Sequence, residues 1–418
     1  MTRDERQEVA RVKWIKNRCV GSFIQPTGAG KTVTALKCLK SILDKYPHLR
    51  VLVVVPTDNL SQQWRVQLDN WGMEFSTDVQ VINTVIRHDW NVDILVLDEI
   101  HRYGADTFKR VFEKVNYKYI LGLTATFERL DGKHQLISKY CPIVDIITQE
   151  EARSNGWVSE YKEYLVLIDV DDIDTYKEYN KEFTEHYEFL GFDFGLAMSL
   201  LGPNGFINRA KLRDQRCPDG TEKQRKEMFK AITYHATSFI RCIQKRKAFI
   251  NNHPKKVEIA RRIIEAREDK KIITFSNNIK MAESIGMGGK VYSGRDTKKK
   301  GRITLEEFQS GDFKVIHSIS KLNEGADLKG LSVAIILGLD SSETKAIQKK
   351  GRVIRKEGNK QAEIFNIVIN DSVELQWFKN SHSASKYITI DEEGLNDVLA
   401  GKEPKPYVKK IKDFTFRY

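Results

Sequence analysis

The stretch Cys19-Val20-Gly21-Ser22-Phe23-Ile24-Gln25-Pro26-Thr27-Gly28-Ala29-Gly30-Lys31-Thr32 decides the fold. Cys19–Ile24 is an apolar run of buried-strand length, and Lys31 opens a helical pattern that runs to Tyr46. Between them Gly28 and Gly30 let the backbone wrap an anion, with amides aimed inward at a helix N-terminus. Pro26, Thr27, Gly28, Ala29 and Gly30 are therefore candidate ligands of a nucleotide's phosphates. Lys31 is placed to reach the β- and γ-phosphates and Thr32 a magnesium ion. The strict pattern has Gly where this chain has Gln25. The flanking strand and helix carry the reading despite that departure.

Strand candidates Val51–Val55, Val79–Ile82, Ile94–Leu97 and Tyr119–Leu123 alternate with helix candidates Arg3–Asn17, Asn59–Trp71 and Asp106–Phe112. Unalternated β-branched strands between amphipathic helices predict a parallel sheet covered on both faces. Asp98-Glu99-Ile100-His101 closes the run Ile94–Leu97. An acid at the carboxyl end of a parallel strand lies where an open α/β sheet holds its ligand. Asp98 suits the metal, and Glu99 suits the water that attacks the terminal phosphate.

The strand–helix alternation resumes at Lys255, with strands at Lys271–Ser276, Lys290–Tyr292, Lys314–Ser318, Val333–Leu337 and Ala362–Ile369. The fold class is thus α/β, with two parallel-sheet domains in tandem. The expected units are 1–160, a mostly helical basic insertion at 161–254, 255–380, and a polar tail at 381–418.

The 418 residues carry 69 Lys and Arg against 57 Asp and Glu, a net charge of +12. Phe206–Lys256 alone has 14 basic and four acidic residues, which places most of the surplus there and suggests a polyanionic partner. Lys245, Arg246 and Lys247 are candidate phosphate contacts within it. The aromatics of this block, at helical spacing, read more readily as core than as base-stacking groups. Five cysteines, far apart and without a C-x-x-C pair, fit a reducing interior rather than a disulfide framework. No apolar run approaches the ~20 residues of a membrane helix, and the charged N-terminus has no signal-peptide core. A cytoplasmic protein of a bacterial or phage-infected cell is the expectation, with protein partners undefined.

Seven short boxes, in order, resemble those of superfamily 2 helicases and nucleic-acid translocases. They are Pro26–Thr32, Val54-Val55-Pro56-Thr57, Asp98–His101, Gly122-Leu123-Thr124-Ala125-Thr126, Ile272–Ser276, Glu324-Gly325-Ala326-Asp327 and Gln348-Lys349-Lys350-Gly351-Arg352-Val353-Ile354-Arg355. The resemblance spans about residues 1–375 and implies two RecA-like domains with ATP and Mg2+ between them. It implies nucleotide contacts from Gln7, Gly325 and Asp327, and catalytic roles for Gln348, Arg352 and Arg355, the arginines acting across the cleft on transition-state charge. Gln7 lacks the family's usual surrounding wording, so an adenine contact and a surface residue stay open for it. Nucleic-acid contacts are implied at Pro56, Thr57, Thr84, Thr124, Thr126, Arg129 and Ser276. The continuation Phe127-Glu128-Arg129-Leu130-Asp131-Gly132 resembles the branch of excision-repair, restriction-motor and phage DNA helicases. The expected activity is ATP-driven movement along DNA without base specificity, in replication, recombination or repair. The rivals are an RNA helicase and an ATP-switched nucleic-acid clamp. A small-molecule P-loop kinase leaves the second α/β half unexplained. No histidine or cysteine grouping has zinc spacing.

Overall fold

The computed structural model describes residues 1–104, 107–125, 134–319, 328–339, 349, 351, 353, 361–382, 386–405 and 407. The first sheet contains β1 (Val20–Ile24), β2 (Val51–Val55), β3 (Thr77–Val81), β5 (Ile94–Asp98), β7 (Tyr119–Thr124) and β8 (Ile143–Ile146); β4 (Trp90–Asn91) and β6 (Val115–Asn116) form a separate short ribbon. Its six strands lie in the order β3-β2-β5-β7-β1-β8, all parallel. Val51–Val55 is buried at every position because alternate residues enter two different cores. Val53 packs with Trp14, Leu39 and Val96 on one face, and Leu52 and Val54 pack with Leu95, Leu97 and Ile100 on the other. Each such aliphatic side chain contributes about 1.5–3 kcal/mol by burial.

The second sheet contains β9 (Tyr161–Ile168), β10 (Lys271–Ser276), β11 (Lys290–Ser293), β12 (Val315–Ile319), β13 (Leu331–Ile336), β14 (Ala362–Ile369) and β15 (Ile388–Ile390). Its order is β11-β12-β10-β13-β14-β9-β15, again parallel throughout. Two expectations change here. The mostly helical span 161–254 yields its first residues to the second sheet, because β9 pairs along its whole length with β14. Its apolar run Tyr164–Ile168 needs cover on both faces, which only the middle of a sheet supplies. Nor is 381–418 simply a polar tail: β15 extends the sheet, and Leu395 and Val398 of the helix Glu392–Leu399 are buried against it.

The insertion is therefore a helical excursion between β9 and the helix Pro254–Glu265 of the second domain. It comprises the helices Ile173–Phe189, Phe194–Ser199, Gly205–Arg216 and Glu222–Asn252. The last of these is 31 residues long and starts at a capping box between Thr221 and Gln224. Pro254 opens the next helix at its first turn. The insertion has its own small core of Tyr187, Leu190, Ala197, Leu200, Leu212, Ile232, Ala236 and Phe239. Phe239 of the basic block stacks with Phe183 and Tyr187 at centroid distances near 5 Å and is core, as its spacing predicts, whereas Phe206 and Tyr234 of the same block are 67% and 61% exposed.

Candidate active site

Three neighbouring strand ends of the first sheet converge on the glycine loop. Ile24 stands opposite Thr124, and Asp98 opposite Leu123, so the ends of β1, β7 and β5 share one edge. The Gln25 amide donates to the Thr124 carbonyl at 2.9 Å and anchors the loop to that edge. Gly28 and Gly30 have φ of 91° and 94°, a left-handed conformation that side chains with a Cβ rarely adopt. Gly30 precedes the helix Lys31–Leu43, whose first amides have no side-chain cap. That end of the helix thus keeps its donors for an anion. Gln25 has a role where the strict pattern has Gly: its Oε1 accepts from the buried Thr34 hydroxyl at 3.0 Å, tying strand to helix.

Gln7 is buried, and its Nε2 donates to the Ala29 and Gly30 carbonyls at 3.4 Å. A Cβ added to Gly30 would lie 2.6 Å from that nitrogen. Gln7 is therefore no surface residue; it packs against the back of the loop.

Asp98 is buried beside the loop. Its Oδ2 accepts from Trp64 Nε1 at 2.8 Å, and its Oδ1 accepts from the Glu99 amide at 3.0 Å. Burial, reinforced by the Glu99 charge, pushes the Asp98 carboxyl up to about 6, while Lys31 and the Trp64 hydrogen bond pull the other way. Trp64 is buried, and its hydrogen bond orients the acid. The signal lies in the spacing: Ser61, Trp64 and Leu68 recur at three and four residues along the helix Asp58–Asn70 and form its buried face.

Glu99 adopts φ of 53°, an uncommon backbone state for a non-glycine residue that turns it sharply off the strand. Its Oε2 is buried with no hydrogen-bond partner among the described residues, and it lies 3.4 Å from His101 Nδ1. His101 Nδ1 is in turn 2.9 Å from the Thr124 hydroxyl. A contiguous set, Glu99–His101–Thr124, thus joins the acidic turn to the end of β7. The residues present fit a magnesium nucleotide: Asp98 and Thr32 would hold the metal, which would supply neutralising charge at the phosphates. Glu99 Oε2, which makes no hydrogen bond to a described residue, is suited to accept a proton from water.

The second domain reaches this site. A Cβ on Gly351 would fall 2.3 Å from Thr27 Cβ, so the backbone at Gly351 rests directly on the phosphate loop. Its neighbours Lys349 and Val353 are buried, and Lys349 Nζ donates to the Gly338 carbonyl at 2.8 Å. Gln348, Arg352 and Arg355 lie outside the described residues, as do Gly325, Asp327, Thr126 and Arg129.

The surface assignments divide. Pro56 and Thr57 are half-buried, Thr57 capping the helix Asp58–Asn70, and Thr84 is exposed. Thr124 is fully buried, so it serves the Glu99–His101 set rather than a nucleic acid. Ser276 is buried too, its hydroxyl donating to the Asn278 carbonyl. Arg246 is only 7% exposed, with its guanidinium 4.1 Å from the Phe183 ring centre. Consecutive helical residues point about 100° apart, so Lys245, Arg246 and Lys247 cannot share a face. Lys245 pairs with Glu182 at 3.2 Å, and Lys247 is exposed. Lys247 lines an open groove with Asn251, Asn277, Lys280 and Arg295, at the carboxyl ends of β10 and β11.

One consequence concerns stability. The folded state holds Asp98 with a raised proton affinity, so its charge destabilises the fold above about pH 6 and that penalty fades towards pH 4. Asp98→Asn should abolish hydrolysis yet raise the melting temperature at pH 7.5. Relief of desolvation, less about 1 kcal/mol for the acceptor that Asn lacks, leaves about 1–2 kcal/mol. Thermal denaturation at pH 7.5 and pH 5 checks this; a variant less stable than wild type at both would contradict it.

Family comparisons agree with this geometry. The type III restriction enzyme res subunit family matches residues 2–92 and 83–129, and the helicase conserved C-terminal domain matches 255–357. The DNA 3'-5' translocase XPB2 of Sulfurisphaera tokodaii is 27% identical over 88% of this chain and 81% of its own length. Putative ATP-dependent RNA helicase L396 of Acanthamoeba polyphaga mimivirus is 23% identical over 80% of this chain. The chain spans only 56% of that relative. The Pyrococcus furiosus Hef helicase domain superposes with a TM-score of 0.52 at 18% identity, covering 90% of this chain and 97% of that one. S. cerevisiae Dbp5 bound to RNA and ADP BeF3 superposes with a TM-score of 0.60 at 12% identity, covering 94% and 91%.

Proposed function

The chain belongs to superfamily 2 of the helicases and hydrolyses ATP, and we propose that it uses the cycle to move along DNA. The observation that carries the proposal is Gly351 seated on Thr27. A site shared by two domains opens and closes with the nucleotide, so each cycle displaces one domain against the other. Lys31 and the loop amides bind the phosphates, Asp98 and Thr32 hold the magnesium ion, and Glu99 takes the proton of the attacking water. Arg352 and Arg355 stabilise the transferring phosphoryl group from the second domain. Nucleic acid follows the groove beside Lys247, Asn277, Lys280 and Arg295. Contacts of this kind are to the backbone and carry no base code.

DNA is preferred to RNA as the track. The restriction-subunit family match and the archaeal DNA translocase support that choice. Comparing steady-state ATPase with single-stranded DNA, duplex DNA and RNA tests it. Stimulation by DNA well above that by RNA is expected. Stimulation by RNA alone would replace this reading with an RNA helicase, and none by any polynucleotide would remove the motor.

A further inference from the structure

Among the described elements the chain passes from the first sheet to the second once, over residues 147–160. Most of that crossing belongs to the first domain. The Ile147 amide donates to the Ile24 carbonyl at 2.8 Å, and Ile147, Ala152, Trp157 and Val158 form a small core of their own. The crossing helix Gln149–Ser154 is fastened by Arg6, a residue outside the seven boxes. Arg6 is 7% exposed, and its guanidinium donates in three directions. It reaches Asp145 Oδ2 and the Ile146 carbonyl, both at 2.8 Å and both at the end of β8, and Glu151 Oε1 at 2.7 Å on the crossing helix. A planar guanidinium fork suits such a set. Lys13 Nζ, 2.6 Å from Asp145 Oδ1, balances the second acid. On the far side Glu160 already belongs to the second sheet, since its carbonyl accepts from the Ala362 amide at 2.8 Å. Two ion pairs bridge the remaining gap, Arg153 with Glu160 at 3.2 Å and Glu150 with Lys386 at 3.0 Å, and both are exposed. Exposed pairs hold little.

We propose that Arg6 is a positioning residue of the ATPase cycle: it makes residues 147–158 part of the first domain and confines the pivot between the domains to Val158–Glu160. The inference rests on the shared nucleotide site and adds how its two halves are kept close. Gln7, the next residue on the same helix, packs on the phosphate loop, so one helix braces both loop and hinge. A short pivot holds the second domain near the loop at a high effective concentration. With Arg6 and Glu151 parted, the flexible link lengthens roughly fivefold, and effective concentration falls as about the −3/2 power of length. Closure then becomes rarer by about tenfold, while the loop and Lys31, which bind ATP from the first domain, are untouched. A buried ion cluster with a stabilising role alone gives a different pattern, in which ATP binding and turnover fall together with the folded fraction.

Arg6→Ala would leave the buried Asp145 with Lys13 alone and threaten the fold. The test therefore uses Glu151→Ala, at a side chain 32% exposed and on a helix that Ala favours. The Kd for a fluorescent ATP analogue should match wild type, and kcat with DNA should fall by about tenfold. Trypsin should cut after Arg153 faster in the variant than in wild type, because the crossing helix detaches. Lys386→Ala, at the exposed pair, should match wild type in every assay. Wild-type kcat in Glu151→Ala overturns the proposal, and so does an equal loss of ATP affinity and kcat. Native wild type cut after Arg153 as fast as the variant overturns the docking of the crossing helix. If wild-type ATPase ignores every polynucleotide, the motor reading itself fails, a result separate from any of these.

Discussion

Glu99→Gln should retain ATP binding within a few-fold of wild type while turnover falls by about 10²–10⁴, the range of a lost general base. The substitution keeps the shape of the side chain, so the positive-φ turn and its packing persist. What disappears is a buried carboxylate oxygen that has no hydrogen-bond partner among the described residues. Asp98 remains, still oriented by Trp64. The variant should therefore accumulate an ATP-bound complex on nucleic acid. Single-turnover hydrolysis of labelled ATP, with filter binding in parallel, separates the two effects. Turnover near the wild-type rate would move the base elsewhere and leave Glu99 as a turn residue.

Gly351→Ala should lower the turnover number by about a hundredfold, the order expected when a catalytic segment is displaced by about 1 Å. The added methyl would lie 2.3 Å from Thr27 Cβ and 2.5 Å from its Cγ2, so loop and helix must part. The parting separates the second domain from the phosphate loop at Gly351. ATP affinity should change less than turnover, because the loop and Lys31 belong to the first domain alone. Thr27→Gly removes the opposing side chain, and adding it to Gly351→Ala should restore part of the lost rate. A double-mutant cycle reports that coupling directly. Full activity in Gly351→Ala would mean that the two domains do not meet at this point during hydrolysis.

The first sheet could be read almost strand by strand from the sequence, because strands buried on both faces appear as unbroken apolar runs. The glycine loop and the acidic turn followed, since their chemistry lies within a few consecutive residues. What stayed hidden depended on distance along the chain. Ala362 pairs with Tyr161, and no local pattern announces a partner so remote. The Trp64–Asp98 bond likewise joins two separate boxes. The error at Arg246 was different in kind. Charge read along the chain is one-dimensional, whereas a helix distributes consecutive residues around its axis, and Arg246 lies on the side that packs on Phe183.

The central claim is that a nucleotide site shared by two sheets drives motion along DNA. Displacement of a third strand from a triplex reports such motion directly, since the strand leaves only when a moving protein reaches it. Wild type with ATP should release the third strand in proportion to ATP hydrolysed, and Glu99→Gln should bind the same DNA and release none. DNA-stimulated hydrolysis by wild type without any strand release would contradict the account and leave an ATP-switched clamp.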